Sequence, residues 1–405
     1  PLDGVFSPAE AMKDGAPLVH EDGNLLSEEH LVRGDAEKVI SESRYSVTNH
    51  YSLPFTEHAL METECAVAFP EDGGTHIISR DQGIYQTQRE CSDALGLPPE
   101  KVRVSAAMVG GGFGGKEDMS VQHHAALLAQ KTGRPVKVKL TRQESILVHP
   151  KRHAMEIDLT TACDENGRLT AMKAVIISDT GAYASLGGPV LQRACTHAAG
   201  PYNYQNIDIT GRAYYTNNPP AGAFRGFGVP QSCFATECNL NQLAEMAGLT
   251  PFEIRYINAV RPGDTLPNGQ IADENTAMVE TLDAVREICE KNPKAGIACA
   301  IKNSGLGVGV PDTGRCRITV KDGKVHVTSS AACIGQGMGT VQIQMLCQTA
   351  GLTPDMIVYD TPDTKYSPNA GNTTASRQTL FTGEAAVRAA SLLKDALDKE
   401  GSLSA

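Results

Sequence analysis

No two cysteines of this chain form a C-x-x-C pair, no apolar run approaches the roughly 20 residues of a membrane span, and no stretch gathers the basic residues together. Each absence excludes something. Without paired cysteines, iron–sulfur ligation and a structural zinc site have no support. The 11 cysteines, dispersed singly from Cys65 to Cys347, read instead as small buried apolar side chains in a reducing compartment. Without an apolar span, and with Asp3 and Glu10 in place of a basic leader, the chain reads as cytoplasmic and not membrane-bound. With 36 Lys and Arg against 47 Asp and Glu, a formal net charge of -11, nucleic acid is a poor partner. No low-complexity tract is present, and a 41% hydrophobic content describes a folded protein.

At 405 residues the chain exceeds the size of one ordinary core, so two domains or lobes are expected. It opens on Pro1 in a Pro/Gly/acid-rich stretch without an anchoring element, which predicts further sequence upstream. The expected layout is a linker segment over 1–40, a first domain over 41–270, a connecting helix over 271–294 and an incomplete second domain over 295–405. Short β-rich runs at 46–52, 65–69 and 75–79 precede a predicted helix from Ile84 to Leu95 and a strand at 101–107. A glycine loop, VGGGFGGK (109–116), leads to a predicted helix at about 117–132 and a strand at 135–141. Two long strands between 153 and 181 flank the turn signal Asp164–Gly167, and helices are expected at about 231–247, 251–260 and 275–291, the last ending at Asn292–Pro293. A strand GIACAIK (296–302), a hairpin turning at Asp322–Gly323, and helices at 339–350 and about 382–398 complete the reading. Parallel and antiparallel signals are mixed, so the predicted class is α+β, two-lobed, with mixed sheets and flanking helices.

Four loops carry the chemistry. The glycine loop contains G-x-G-x-x-G at Gly110, Gly112 and Gly115, which raises dinucleotide binding. Against it, Glu117 and Asp118 would open the helix with charges that repel a pyrophosphate, and the next strand ends in Thr141–Arg142 rather than an acidic ribose ligand. So many glycines suit a backbone that approaches something bulky and polar; a merely tight connection is the bland alternative. AFRGFG (223–228) sets Arg225 between aromatics, where it needs an anionic or carbonyl partner or pairs structurally with a carboxylate. CIGQGMGT (333–340) and PNAGNTTASRQT (368–379) offer N–H groups and hydroxyls ahead of helices, and each alone is also readable as a plain cap. Together the four loops point to one large polar cofactor.

Taken in order, GGGFGGKE, AFRGFGVPQ, IGQG and the P-N…S-R stretch, with APLVHEDGN and LTPFEIRYINAVRPGD, resemble the molybdenum-binding part of the xanthine dehydrogenase and aldehyde oxidoreductase family, over nearly the whole chain. The resemblance implies molybdopterin, in its plain form or as the cytosine dinucleotide, with molybdenum held by the pterin dithiolene and by no protein side chain. It places the metal near Phe113, Gly114 and Arg225. Gln82 matches a glutamine beside a metal ligand, Phe113 and Gly114 with Gly112 match the loop facing the metal, and Arg225 matches an arginine near the metal pocket. Gln336, Ala375, Ser376, Arg377 and Gln378 fall on pterin-binding positions. Glu117, Arg193 and Phe227 match the acid, the arginine and the ring-packing phenylalanine of a purine pocket. The alternative for Glu117 is a charge complementing a helix dipole.

The implied reaction is hydroxylation of an N-heterocycle, a purine such as xanthine, with water as the oxygen source. Glu117, Gln82 and Arg225 are the expected catalytic residues present. The family's general base, a glutamate in a downstream glycine-rich loop, has no counterpart here; Thr382-Gly383-Glu384 matches a pterin-proximal stretch instead. The base is therefore expected on another polypeptide or on further sequence. Partners carrying FAD and 2Fe–2S clusters, a chain completing the molybdenum subunit, and an oligomer are expected. An aldehyde oxidoreductase and an inert fragment or scaffold are the rival readings.

Overall fold

Helices and strands alternate in the computed structural model, which describes residues 3–292, 294–307, 310–401 and 403; Pro293, expected to close a helix, lies outside them. In chain order the strands are β1 (Leu25–Arg33), β2 (Tyr45–Leu53), β3 (Cys65–Glu71), β4 (Gly74–Ser79), β5 (Val102–Ala106) and β6 (Val136–Lys139). Then come β7 (Ala154–Cys163), β8 (Leu169–Gly181), β9 (Asn206–Tyr215), β10 (Arg317–Lys321), β11 (Lys324–Thr328) and β12 (Ile357–Tyr359). They divide between two compact units, each built from two separate stretches of chain.

The first unit takes Pro1–Glu57 and Pro150–Lys302. Its five-stranded sheet runs β1-β9-β8-β7-β2 and is antiparallel except for the β8/β9 pair. The alternation of Met155, Ile157 and Leu159 along β7 sends one face of the strand into the core, where Met172, Ile176, Leu191, Ile209 and Leu240 meet it. Helices Gly187–Thr196 and Val229–Met246 contribute to that core. Segment 1–40, expected as a linker, contains β1, which pairs with β9 at the sheet edge; LLSEEHLVR is polar on most of its surface and so carries little strand pattern.

The second unit takes His58–His149 and Asn303–Ala405. One sheet runs β5-β4-β3-β6, with a parallel β4/β5 pair, and packs on helices Ile84–Leu95 and Gln122–Thr132 through Ile77, Ile84, Val104 and Ala125. The other runs β10-β11-β12 against helices Met338–Ala350 and Gly383–Glu400. The two stretches are stitched by backbone bonds Ala106 N–H to Pro362 O (2.8 Å) and Thr364 N–H to Val104 O (2.9 Å). Arg103 adds a clamp, holding Asp363 at 2.7 Å and Glu71 at 3.0 Å. Mixed pairing in every major sheet with helices on their faces is the α+β class expected from the sequence.

Three expectations fail locally. The helix predicted from 117 begins only at Gln122, because Glu117–Val121 is spent on the exit from the glycine loop. GIACAIK forms no strand: among the described residues none pairs with it in a sheet. Of the 11 cysteines, all free, only Cys65, Cys91, Cys163 and Cys195 are buried; the other seven are half-buried. No helix among the described residues is long and apolar enough to cross a membrane.

Candidate cofactor site

The glycine loop leaves the end of β5 and is gripped from three sides. A Cβ on Gly110 would stand 2.5 Å from Cβ of Glu62, one on Gly112 2.5 Å from Oε1 of Gln82, and one on Gly115 2.4 Å from Cε1 of His149. These three glycines are therefore required by the protein's own packing, more than by an approaching ligand. Gly111 and Gly114, at φ +101° and +99°, are required by the turn itself. The helix that would have presented its N-terminus to a pyrophosphate starts seven residues past Gly115, which removes the dinucleotide reading and the dipole reading of Glu117 together.

Glu62 closes the loop into a hoop. Its carboxylate accepts from the Gly110 N–H (2.8 Å) and from the buried Lys116 Nζ (2.9 Å), and Arg80 pairs with it as well. Burial pushes this carboxyl up, but the Gly110 N–H, Lys116 and Arg80 outweigh it and hold it below the usual range.

Gln82 joins this loop to a second one. It follows Asp81, whose buried carboxyl accepts from Ser79 (2.5 Å), Thr87 (2.6 Å) and the Gly83 N–H (3.0 Å) and fixes the turn into helix Ile84–Leu95. Burial pushes the Asp81 carboxyl up despite those three donors. The Gln82 side chain is 1% exposed. Its Oε1 accepts from the Gly114 N–H at 2.9 Å and the Lys116 N–H at 3.4 Å, and its Nε2 donates to the Thr373 carbonyl at 2.7 Å. The backbone repeats the connection, with Thr373 N–H donating to Gln82 O at 2.7 Å.

Thr373 belongs to the 368–379 loop, whose polar side chains are likewise turned inward. Arg377, 2% exposed, spends its guanidinium on Asp312 (2.5 Å) and on the carbonyls of Ala370 (2.6 Å), Asn372 (3.1 Å) and Thr313 (2.8 Å). Gln378 donates to the Asn372 carbonyl (3.0 Å) from inside one turn of π-helix, Gln378–Thr382. Gln336, in the 333–340 loop, is also consumed locally, accepting from Ile334 N–H (2.7 Å) and donating to the Ala332 carbonyl (3.0 Å). These side chains frame the loops. What they leave unclaimed is backbone: among the described residues, no protein acceptor takes the N–H of buried Gly112, half-buried Ala375 or exposed Phe113 and Ser376. Phe113, Ala375 and Ser376 all hold φ between +50° and +53°, a conformation that L-residues keep only when their surroundings enforce it. Gly335 and Gly337 face open space, where an added Cβ would meet nothing. A set of unclaimed N–H groups on strained, braced loops fits a large polar cofactor bound by backbone.

Glu117 leaves the loop beside these groups. Desolvation pushes its carboxyl up to about 7, against a hydrogen bond from Thr374 and with Asp118 adding to the rise.

The first unit carries Arg193, Arg225 and Phe227. Arg193 is buried on helix Gly187–Thr196, bonded to Gln192 (3.1 Å); burial lowers its pKa, and Glu29 opposes that. Loop 223–228 packs on the same helix, since a Gly228 Cβ would stand 2.2 Å from the Val190 carbonyl. Phe227 holds φ +52° between Gly226 and Gly228, both also at positive φ. Arg225 is exposed. Its carbonyl accepts from Arg152 (3.0 Å), whose guanidinium lies 3.8 Å over the Phe224 ring and is pushed down to about 10 by burial. Sequence reasoning missed Glu62, Asp81, His149 and Arg152. The one available signal was their polar character next to short apolar strands.

Braced glycine loops with unclaimed amides define a binder of an extended polar cofactor, and comparison with known proteins gives its class. Residues 19–259 and 274–404 each match the molybdopterin cofactor-binding domain, and the chain belongs to that family. Among relatives, it is 34% identical over 412 residues to the xanthine dehydrogenase molybdenum-binding subunit of Escherichia coli O157:H7, covering 97% of this chain and 55% of that one. It is 38% identical over 287 residues to the nicotinate dehydrogenase large molybdopterin subunit of Eubacterium barkeri, covering 71% of this chain and 68% of that one. The solved aldehyde oxidoreductase from Desulfovibrio gigas superposes with a TM-score of 0.92 at 30% identity, covering 99% of this chain and 46% of that one. The chain thus spans about half the length of the first and third of these relatives.

Proposed function

We propose that this chain is the molybdopterin-holding portion of a hydroxylase that oxidises an N-heterocycle, a purine such as xanthine, with water as the oxygen source. The observation that carries the proposal is the Gln82 cross-brace, which sets the Phe113 and Ser376 loops in one unit with the Glu117 carboxyl beside them. When bound, the cofactor supplies a metal that acidifies water and accepts electrons. Gly112, Phe113, Ala375 and Ser376 hold it by backbone N–H groups, framed by Gly114, Gln82, Gln336, Arg377 and Gln378. Glu117 recognises the heterocycle. A carboxyl near pKa 7 suits this, because it donates to a ring nitrogen when protonated and accepts from a ring N–H when ionised. Kinship to a nicotinate dehydrogenase supports a heterocyclic substrate. FAD and 2Fe–2S partners, a chain completing the molybdenum subunit, an oligomeric assembly and a cytoplasmic setting belong to the same proposal.

A second reading, aldehyde oxidation, is favoured by one observation: Thr374 already engages the Glu117 carboxyl, as a structural acid would be engaged. Turnover of purines and aldehydes by the assembled enzyme separates the two. Purine turnover is expected to fall at least about tenfold in Glu117→Ala, the cost of losing a charge-assisted hydrogen bond, with aldehyde turnover unchanged. Unchanged purine turnover refutes the substrate assignment.

A further inference from the structure

The Gly115–Lys116 peptide is held at both edges, and one of the holders stands outside every motif. The Gly115 carbonyl accepts from Nε2 of His149 at 2.8 Å, and the donating imidazole is 2% exposed. A trans peptide points its C=O and N–H in opposite directions. The N–H of the same plane, that of Lys116, therefore faces away from His149, and there it meets Oε1 of Gln82 at 3.4 Å. On the next turn back the Gly114 N–H meets the same oxygen at 2.9 Å. Glycine at 115 leaves ψ on the N-terminal side of this plane almost unrestrained, so its tilt is decided by what holds its edges.

His149 is itself oriented. Glu64, with a side chain only 3% exposed, places a carboxylate oxygen 3.4 Å from Nε2, which favours the tautomer with the proton on that nitrogen, the one able to donate to Gly115. His58 meets the His149 ring edge-on at 4.8 Å between centroids. The fit is close: a Cβ at 115 would collide with the His149 ring at 2.4 Å and crowd His58 at 3.1 Å. Glu64 stands at the entry to β3 and His149 just past helix Arg142–Val148, so both are set by elements of the second unit that take no other part in the site.

We infer that His149, oriented by Glu64, is a positioning residue: it locks the Gly115–Lys116 peptide so that the loop presents its N–H groups to Gln82. Losing the imidazole donor leaves a buried carbonyl unsatisfied. The plane then turns to find another donor and draws the Lys116 N–H away from Gln82, loosening the braced loop. The tilt of the plane needs no bound cofactor. Its importance for holding one rests on the functional reading above.

Two near-isosteric variants test the lock in the full chain. Gln at 149 places an amide N–H near the position of Nε2, whereas Asn places it near Nδ1 and cannot reach Gly115. In peptide-resolved hydrogen exchange, His149→Asn is expected to speed exchange over residues 110–117 by about tenfold, the size implied by one lost hydrogen bond to a buried carbonyl, and His149→Gln by less than about threefold. Equal exchange in the two variants, or exchange as slow as the parent's in both, overturns the lock. Where Asn compromises folding, Glu64→Gln is the second variant. It keeps the imidazole, and the lock requires it to speed exchange over 110–117 by an intermediate factor; no change there overturns the role given to Glu64. Molybdenum per chain, measured on the assembled enzyme, addresses the functional reading separately. Loss of metal in Asn but not in Gln supports both ideas, while an exchange difference with full metal in both keeps the lock and counts against this loop as a cofactor contact.

Discussion

The two units hold their glycine loops by different means. In the second, loop 109–116 is bound through buried polar side chains, Glu62, Gln82 and His149, each reaching it from a separate element and each filling the space a Cβ would take. In the first, the Arg152 guanidinium stacks over the loop's own Phe224 ring and donates to the Arg225 carbonyl, and Arg225 itself is exposed. A polar brace fixes the direction of individual peptide planes, because hydrogen bonds are directional. A stacked brace fixes position but tolerates rotation. The unclaimed amides of the second unit need the first kind of support, and a side chain such as Arg225 tolerates the second.

The contrast breaks most sharply at Gln82. Gln82→Ala leaves the Gly114 and Lys116 N–H groups and the Thr373 carbonyl without their partner, so a loss of about 2–4 kcal/mol in unfolding free energy is expected, read from the denaturant midpoint. A loss within about 0.5 kcal/mol would mean that the polar brace is not directional support at all.

Next comes Glu117. Its folded pKa, near 7, lies above the ordinary carboxyl value, so between pH 4.5 and about 7 the folded chain binds more protons than the unfolded one. Its contribution is therefore most favourable below about 4.5 and declines as pH rises to about 7. Glu117→Gln is expected to flatten that part of the stability profile and to stabilise the chain above pH 7 by on the order of 1–2 kcal/mol. A profile as steep as the parent's assigns the slope to other groups.

The smallest effect is expected in the first unit. Arg152→Met keeps an unbranched apolar stem over Phe224 but loses the cation and the bond to the Arg225 carbonyl, for a cost of about 1 kcal/mol. A cost matching that of Gln82→Ala would erase the distinction between the two braces.

Much of the architecture was legible where the pattern is local. Helix Ile84–Leu95 and the Asp322–Gly323 hairpin stand where periodicity and turn chemistry put them. The motif loops were legible too, because glycine at positive φ leaves a mark in the sequence. What holds those loops was not. Glu62, His149 and Arg152 are ordinary polar residues until the fold carries them to a carbonyl or an amide far along the chain. The roles of Arg377, Gln378 and Gln336 show the same limit from the other side: residue type suggested side chains offered to a ligand, and the structure spends them on neighbouring backbone.

The stitching of the second unit also sets an order of events at the ribosome. Val104, Ala106 and Gln82 emerge early, yet their partners Thr364, Pro362 and Thr373 come only after the whole Pro150–Lys302 stretch of the first unit has been made. At roughly 5–20 residues per second that is on the order of ten seconds or more, during which the glycine loop lacks the far half of its support. The first unit, whose second stretch ends at Lys302, is free to fold in that interval, before loops 109–116 and 368–379 are brought together.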